Sequence, residues 1–413
     1  MNWLSDLGQT EDIPWNATLQ SRYSHNMPHV TLAILSDLHC RITTDARDSF
    51  LTVGSKRVPS THHPVESLLE MIGREQITAD ALVVPGDFAN KACPEGLSQA
   101  WDYCREIAGR LQAPLIIPVI GNHDIDSKRL RPNEGVFDRV RTLRPDFPFS
   151  SSAENQQYFS DGYCALSSGD VQYIALNTVI GQTDEASAKR GTFPEDLIHR
   201  METALTPILK APIRVAIMHH HPILHSAAFW DDHDVLPNGD ALIAALRRMG
   251  CRVIIHGHKH VPRLQILNGV AIFASGSFSA MLQEYGTAVG NTFHVMKIDG
   301  DGPDSVRGEI LTWTFQLAKG WRPSSDAYRG FPYSTGFGAT DTVATISGIL
   351  SELAQEFPDT MRFDQNTVLS KAPAVKYLSP DQTSDLRASL LQSNLQLMIT
   401  EEGQIELGRR YQP

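Results

Sequence analysis

Five apolar segments of this sequence each end in side chains that can bind a metal ion. The segment ends are Asp37-Leu38-His39, Gly86-Asp87, Gly121-Asn122-His123-Asp124, His219-His220-His221-Pro222 and Gly257-His258-Lys259-His260. Carboxylate oxygens, an amide oxygen and imidazole nitrogens without a thiolate suit Mn, Fe or Zn better than a soft metal. We therefore expect the five segment ends to meet at one site that binds metal.

The spacing of these residues indicates how they could share two cations. Asp37 and His39 stand two positions apart, as do His258 and His260, so on an extended chain both side chains of each pair point the same way. Asp87 has two carboxylate oxygens and could bridge two cations. Two cations about 3.5 to 4 Å apart stabilise the attacking and leaving oxygens of a phosphoryl displacement, and water between them becomes hydroxide near neutral pH.

His123 is the candidate catalytic residue of the third segment. It lies beside Asn122 but on the opposite side of an extended chain, so it is free to face a substrate. Asp124 could hold its ring in one tautomer, which makes Asp124 the second catalytic candidate. Glycines 86, 121 and 257 directly precede candidate ligands, where we expect backbone angles that glycine tolerates.

The elements that must position these residues alternate between strands and helices. Helices are predicted from residue 64, where proline favours a first turn, and over 94–111, 194–205 and 241–249. Strands are predicted over 30–36, 81–84, 115–120, 171–176, 213–218, 253–255, 264–267, 270–274, 292–298 and 308–315. This order predicts an α/β (α+β) fold in layers, with sheets inside and helices outside.

The sequence divides into four predicted parts. An N-terminal arm covers residues 1–28, the main domain 29–318, a linker or wrapping segment 319–340, and a small C-terminal α+β domain 341–413. In the last part, Asp341 and Thr342 are expected to cap a helix, and Glu402-Gly403 to form a hairpin turn. Residues 40–63 are expected to be an inserted loop in which His62 and His63 are solvated.

Composition narrows the class of protein. The chain has 413 residues and a formal net charge of −11, which argues against broad binding to nucleic acid or anionic membranes. Five scattered cysteines without CxxC spacing suggest reduced thiols rather than disulfides or a thiolate site. We find no signal peptide and no apolar run long enough to cross a membrane, so we expect a cytoplasmic protein.

The five blocks, in this order across residues 30 to 275, resemble the calcineurin-like metallophosphoesterase family. The resemblance implies a four-layer αββα sandwich and two divalent or trivalent metal ions (Mn, Fe or Zn). It implies one metal on Asp37, His39, Asp87 and His260, and a second on Asp87, Asn122, His258 and one histidine of 219–221. Counting from Pro222 selects His220 and counting from the strand end selects His219. We favour His220.

The resemblance also implies a reaction. The Gly-Asn-His-Asp form of the third block is similar to class III cyclic-nucleotide phosphodiesterases. This implies attack by a metal-bridged hydroxide on a small phosphodiester, such as a nucleotide or a cyclic-nucleotide-like compound. His123 would protonate the leaving oxygen. The alternatives are a phosphomonoesterase or protein phosphatase, a nuclease, and a non-catalytic scaffold.

Several motifs outside the five blocks keep two interpretations. A basic stripe could contact the phosphates of a nucleic acid or be a solvated helix face: Lys128, Arg129, Arg131, Arg139 and Arg141. Asp231-Asp232-His233-Asp234 is expected to be an acidic loop, with a substrate-gating lid as the alternative. His225 could lie at the rim of the site, and His256 is expected to end its strand. The C-terminal segment could support a homo-oligomer, shape the rim of the site or bind a partner.

Overall fold

The computed structural model describes residues 27–42, 49–127, 131, 133–143, 147–182, 184–225, 234–280, 290–324, 331–400 and 404–410. Some predictions lie outside these described residues. They concern the N-terminal arm up to residue 26, the basic residues Lys128 and Arg129, the acidic loop at 231–233 and the turn at Glu402-Gly403.

The first sheet holds the strands that lead to three of the five blocks. Strands are numbered here in chain order, and this seven-stranded sheet contains β1 His29–Ile34, β2 Ala81–Val84, β3 Leu115–Pro118, β10 Asn291–Asp299, β11 Arg307–Gln316, β12 Gly320–Pro323 and β13 Ser334–Phe337. The order is β12-β11-β10-β1-β2-β3, with β13 paired to β11. Because β1, β2 and β3 are parallel, their carboxyl ends lie side by side.

The second sheet carries the two histidine blocks. It contains β4 Tyr163–Ser168, β5 Val171–Leu176, β6 Ile213–Ile217, β7 Val253–His256, β8 Pro262–Leu267 and β9 Val270–Ser275, in the order β4-β5-β6-β7-β9-β8. Strands β5, β6, β7 and β9 are parallel neighbours. The carboxyl ends of β6 and β7 therefore adjoin each other, as those of β1 to β3 do in the first sheet.

Alternating side chains of the second sheet face two different cores. Tyr173, Val215 and Ile255 belong to the buried cluster that also contains the apolar residues of the first sheet. Their neighbours along the strands face a second cluster with helices α6 Glu195–Leu205 and α7 Gly239–Arg248. Strands buried on both faces, with helices covering the outside, are typical of parallel sheets.

Two further helices cover the first sheet. They are α1 Pro64–Glu75 and α2 Pro94–Arg110, and their apolar stripes join the same core as the strands. The order of layers is therefore helices, sheet, sheet, helices, and the predicted αββα sandwich is confirmed. The connections also contain α3 Asp138–Thr142, α4 Ser152–Asp161 and α5 Glu185–Arg190. Among the described residues, no helix is long and apolar enough to span a membrane.

The C-terminal segment forms a small α+β unit with its own core. Helices α8 Val343–Glu356, α9 Gln365–Lys371 and α10 Pro380–Gln392 accompany a three-stranded sheet, β14 Arg362–Phe363, β15 Leu395–Ile399 and β16 Ile405–Arg409. Thr342 caps α8 as predicted, since its hydroxyl accepts a bond from Thr345 N at 3.1 Å. The predicted β15–β16 pairing is confirmed. Tyr377 links this unit to the first sheet by donating to Asp299 Oδ2 at 3.0 Å.

Candidate active site

The loops that follow β1, β2, β6 and β7 are bonded to one another through their backbones. Asp37 N donates to Gly86 O at 3.0 Å, and His39 N donates to Asp87 O at 3.0 Å. Across the second sheet, Gly257 N donates to His219 O at 3.1 Å. These main-chain bonds join the β1 loop to the β2 loop and the β6 loop to the β7 loop.

One group of four side chains meets on the side of β1 and β2. The ligand atoms of Asp37, His39, Asp87 and His260 all lie within 4.8 Å of one another. The two Nε2 atoms of His39 and His260 are 2.9 Å apart, and His260 Nε2 is 3.2 Å from Asp37 Oδ1. Asp37 is fully buried and Asp87 is 1% exposed, so these carboxylates are shielded from solvent.

A second group meets on the side of β6. His219 Nε2 lies 3.0 Å from Asn122 Oδ1 and 3.3 Å from Asp87 Oδ2. His258 Nδ1 lies 3.1 Å from the same Asn122 oxygen. Asp87 Oδ2 is also 3.6 Å from His39 Nε2, so this carboxylate stands between the two groups.

His219 and His258 each use one ring nitrogen for a hydrogen bond to a backbone carbonyl, and the other ring nitrogen faces Asn122 Oδ1. His219 Nδ1 donates to Pro85 O at 2.7 Å, and His258 Nε2 donates to Lys189 O at 2.9 Å. When the rings are neutral, as binding of a cation requires, the other nitrogen of each directs a lone pair at Asn122 Oδ1. Acceptors that converge without a donor are stabilised by a cation, and backbone carbonyls commonly orient metal-binding imidazoles in this way. The donor set therefore fits a metal ion.

His219, and not His220, is turned into the second group. His220 Nδ1 accepts from Thr178 Oγ1 at 2.8 Å, and His220 Nε2 donates to Ala188 O at 2.8 Å. A ring nitrogen of His220 does lie within 4.8 Å of those of His219 and His258. Both of its nitrogens are bonded to Thr178 and Ala188, however, so the geometry favours His219 over the predicted His220 as the candidate ligand.

The pKa shifts of the two histidines follow their surroundings. Burial by itself would lower the pKa of His219, because it disfavours the charged ring. The charge of the adjacent Asp87 carboxylate and its bond to the ring have the larger effect and raise the pKa of His219 to about 9. Burial and the charge of His219 lower the pKa of His220 to about 3. Burial opposes ionisation of Asp37 as well, yet its bonds to His260 and His39 hold the pKa of that carboxyl below its usual value.

The candidate ligands occupy strained backbone positions. Asp37, His39, Asp87, His258 and His260 all have positive φ, between 47° and 74°. Each such non-glycine residue costs roughly 1 to 3 kcal/mol, and such residues cluster at functional sites. The sharp turns are therefore made largely by the ligands themselves.

The three glycines that precede these ligands serve two purposes. Gly86 has a φ of 96°, as expected for its turn. Glycines 121 and 257 do not have positive φ, and for them the expectation is wrong. A Cβ at 121 would overlap Asp87 Oδ1, and one at 257 would overlap Ser36 Oγ. Close approach of two loops requires glycine there.

His123 lies beside both groups and is held by residues from the β2 loop. Its N–H donates to Asp87 Oδ1 at 2.8 Å, and its Nδ1 lies 3.1 Å from Asn90 Oδ1. Its ring meets the ring of His39 edge-on at 4.8 Å between centroids. Burial lowers the pKa of His123 to about 4, although Asp87 opposes the shift. Asn90 was not among the predicted residues; its only signal is its position three residues after Asp87.

Asp124 does not contact the His123 ring, which corrects its predicted catalytic role. Its carboxylate accepts three backbone N–H groups: from Asp87 at 3.0 Å, Gly121 at 2.8 Å and Ala89 at 2.8 Å. It is 1% exposed, and burial together with the charge of Asp87 raises the pKa of Asp124 to about 7. Asp124 ties the β2 and β3 loops together, so it acts on the structure of the site.

A cleft of about 170 Å³ opens on the His123 side of the two groups. Its lining includes Asn122 and His123 at the site, a buried patch of Ala92, Ile125, Asp126, Ser127 and Ala188, and the exposed residues Lys91, Glu185 and Lys189. Three residues of α5 line the cleft, and the carbonyls of two of them, Ala188 and Lys189, also receive the bonds from His220 and His258. This short helix therefore shapes the cleft and orients the histidines.

Other residues named from the sequence lie away from the two groups. His63 is 2% exposed and its ring accepts from Glu66 N at 3.4 Å as the N-cap of α1, so the expectation that it is solvated is wrong. His225 is buried and lies 2.8 Å from Val261 O, and His256 ends β7. In the basic stripe, Arg139 pairs with Glu134 at 2.8 Å and Arg141 covers the Phe159 ring.

Comparison with known proteins gives one family match. Residues 30–262 match the sequence model described as calcineurin-like phosphoesterase. This range is more than half of the chain and includes all five blocks. No curated protein matches the chain.

Solved structures with a similar fold are distant. A protein described as a 5′-nucleotidase from Staphylococcus aureus is 16% identical, with 66% of this chain and 51% of that chain covered and a TM-score of 0.38. Purple acid phosphatase PPD1 from yellow lupin seeds is 16% identical, with 75% and 54% covered and a TM-score of 0.45. Vacuolar protein sorting 29 from Cryptosporidium parvum is 12% identical, with 70% and 94% covered and a TM-score of 0.31. The match spans about half the length of the first two proteins.

Proposed function

Because the chain belongs to the calcineurin-like phosphoesterase family, we propose that it is a binuclear metal-dependent phosphodiesterase that hydrolyses a small substrate. A nucleotide or a cyclic-nucleotide-like compound is the substrate class we favour. The observation that carries the proposal is the position of Asp87, whose Oδ2 lies 3.6 Å from His39 Nε2 in one group and 3.3 Å from His219 Nε2 in the other. One carboxylate between two groups of acceptors suits a pair of cations.

The proposed ligand sets follow from these distances. Asp37, His39, Asp87 and His260 would hold the first metal, and Asp87, Asn122, His219 and His258 the second. When bound, two such ions would supply Lewis acidity and lower the pKa of a water molecule to near neutrality. Mn, Fe and Zn all accept this set of oxygen and nitrogen donors.

His123 is the proposed proton donor to the leaving oxygen. It lines the cleft and is held through its backbone by Asp87 and through its ring by Asn90. In the protonated ring, Nδ1–H donates to Asn90 Oδ1 and Nε2–H is the proton available to the leaving oxygen. Asn90 is thus a positioning residue, since it acts through the His123 ring.

The charges around the cleft favour a diester over a monoester. A monoester presents a dianionic phosphoryl group and a diester a monoanion, so positive side chains in addition to the proposed metals would favour the monoester. The cations that line the cleft among the described residues are Lys91 and Lys189, both exposed, and Lys189 lies 3.9 Å from the Glu185 carboxylate. A phosphomonoesterase on the same site is the second candidate.

The test is a comparison of two nitrophenyl substrates. Purified protein loaded with Mn²⁺ is given bis(4-nitrophenyl) phosphate and 4-nitrophenyl phosphate, and Asp87→Asn serves as the inactive reference. We expect the diester to be hydrolysed with the higher kcat/KM. A higher kcat/KM on the monoester would favour the phosphomonoesterase, and hydrolysis of neither would overturn the assignment as a phosphoesterase.

A further inference from the structure

The cleft beside His123 adjoins two parts of the proposed machinery. Its lining includes His123, the proposed proton donor, and Asn122, a proposed ligand of the second metal. A general acid must lie within hydrogen-bonding distance of the oxygen that it protonates. The carbon skeleton attached to that oxygen therefore faces the other residues that line the cleft.

Three aliphatic side chains form a buried surface in the cleft. Ala92, Ile125 and Ala188 are each 3% to 4% exposed. The two buried polar side chains are bonded within their own loop: Asp126 accepts from Arg131 N at 2.8 Å, and Ser127 donates to a backbone carbonyl at 3.4 Å. The surface left for the carbon skeleton of a substrate is therefore mainly aliphatic.

The charges of the cleft balance. Among the described residues, the lining holds two carboxylates and two ammonium groups: Asp126, Glu185, Lys91 and Lys189. Lys189 lies 3.9 Å from the Glu185 carboxylate, so these two exposed charges also compensate each other. Selection between substrates in this cleft follows from shape, because neither sign of charge is in excess.

The cleft has room for about one ring. Its volume is about 170 Å³. A cavity of about 150 Å³ with aliphatic walls is large enough for benzene. Because two of the three aliphatic residues are alanines, a larger side chain at either position would occupy that room.

The helix that carries Ala188 is held by two histidine rings. Ala188 O accepts from His220 Nε2 at 2.8 Å, and Lys189 O accepts from His258 Nε2 at 2.9 Å. At the end of α5, Gly191 has a φ of 74°, and a Cβ there would lie 2.5 Å from His220 Cγ. Helix α5 therefore packs directly on the His220 ring and cannot move away from the cleft without breaking these contacts.

The backbone that carries Ala92 is attached to His123. Ala92 N donates to His123 O at 2.7 Å, and Cys93 N donates to Asn90 O at 3.2 Å, which closes a turn over residues 90–93. Lys91 and Ala92, the central residues of this turn, both have a φ of 54°. The position of Ala92 is thus tied to that of the proposed proton donor.

We propose that this cleft binds the leaving group of the substrate and that Ala188 limits the size of that group to about one ring. The inference rests on the proposed phosphodiesterase function. The ring or short chain on the leaving oxygen packs on Ala92, Ile125 and Ala188, whose backbones are anchored as described. The substrate class is therefore a phosphodiester whose leaving oxygen is carried by a single ring, such as a pentose, or by a short alkyl chain.

Two diesters with the same retained group test the size limit. Methyl 4-nitrophenyl phosphate has a leaving group of one ring, and methyl 2,2,2-trifluoroethyl phosphate has one of two carbon atoms. With the Mn²⁺-loaded protein, nitrophenolate is followed by absorbance, and trifluoroethanol by fluorine NMR in samples quenched with a chelator. Each variant is compared with the wild type on the same substrate, so the intrinsic reactivity of each leaving group cancels.

Ala188→Leu places a larger side chain in the space proposed for the ring. It should lower kcat/KM about tenfold or more for the nitrophenyl ester and less than about threefold for the trifluoroethyl ester. The matched control is Ala186→Leu, at an exposed position of α5 whose side chain points to nearly the opposite side of the helix. The control should keep both values within about twofold of the wild type. Metal content and Tm are measured for every variant.

Ala188→Gly tests the limit from the opposite direction and decides the question if Ala188→Leu does not fold. The added substrate is methyl 3,5-dimethyl-4-nitrophenyl phosphate, whose ring is wider by two methyl groups. Its kcat/KM relative to that of the nitrophenyl ester should rise about fourfold in Ala188→Gly, because the cleft gains room for one carbon atom.

Three results would overturn the inference. They are an equal loss on the nitrophenyl and trifluoroethyl esters in folded, metal-loaded Ala188→Leu, no loss on the nitrophenyl ester in that variant, and an unchanged ratio of the two aryl esters in Ala188→Gly. If the wild-type protein hydrolyses neither these esters nor bis(4-nitrophenyl) phosphate, the proposed function itself is overturned, and the size limit with it.

Discussion

Asn90 Oδ1 lies 3.1 Å from His123 Nδ1. The carboxylate of Asp124, the residue that follows His123, instead accepts hydrogen bonds from backbone N–H groups. The partner that orients the proposed proton donor is therefore a neutral amide from another loop. An amide fixes the tautomer of the ring without placing a negative charge beside it.

Replacing Asn90 should separate orientation from charge. Asn90→Ala should lower kcat by roughly 10-fold or more, as loss of an orienting partner does at metal sites, while metal content stays at the wild-type value. Asn90→Asp keeps the shape and adds a negative charge, which raises the pKa of His123. The alkaline limb of the pH–rate profile should then move to higher pH, and an unchanged profile would contradict the orienting role.

Loss of His123 should depend on the leaving group. A 4-nitrophenolate leaves readily without a proton, but an alkoxide does not, so general acid catalysis matters far more for an alkyl ester. We expect His123→Ala to reduce kcat about 10²- to 10⁴-fold on a dialkyl phosphate and much less on bis(4-nitrophenyl) phosphate. An equal loss on both substrates, with metal content unchanged, would remove the proton-donor role.

His219 and His220 should differ in what their removal costs. His219→Ala takes away a proposed ligand, so metal analysis of the folded protein should find about one ion per chain and no turnover. His220→Ala removes a buried ring bonded to Thr178 and Ala188, and should cost about 1 to 3 kcal/mol of stability while two weaker-bound ions remain. Loss of one ion from His220→Ala alone would restore His220 as the ligand.

His63 offers a pH test away from the metal-binding groups. Burial, with a contribution from Arg57, lowers the pKa of His63 to about 4 from 6.5. The unfolded chain therefore binds more protons than the folded one between these values, and stability is lost as pH falls through that window, by at most about 1.4 kcal/mol per pH unit.

The matched variant is His63→Asn, which keeps an N-cap acceptor for α1. The difference in Tm between this variant and the wild-type protein should be constant above pH 6.5 and should shift in favour of the variant as the pH falls to 4. A constant difference over the whole range would show that His63 does not titrate in this way.

The strands, and the side chains that meet at the candidate site, could be predicted from the sequence because both follow from local rules. Strand ends at Asp37, Asp87 and Asn122 are marked by apolar runs that stop abruptly, and parallel pairing brings such ends together. The spacing of His258 and His260 likewise placed two candidate ligands on one loop. The αββα layers follow from the same alternation of elements.

What the sequence did not reveal depends on contacts between distant loops. Three adjacent histidines cannot be told apart in the sequence. In the structure, Pro85 O binds Nδ1 of His219, whereas Ala188 O binds Nε2 of His220. Asn90, which was not predicted, lies beside the His123 ring in the place expected for Asp124, because the β2 loop passes there. Helix α5 could not be predicted from apolar periodicity, since only Ala188 of its six residues is buried.

Electron paramagnetic resonance of the Mn²⁺-titrated apoprotein tests most directly whether Asp87 is shared by two metal ions. If it is shared, we expect two Mn²⁺ per chain and a multiline spectrum of two exchange-coupled ions joined by one carboxylate. A single bound ion, or two ions that each give an isolated six-line signal, would contradict it.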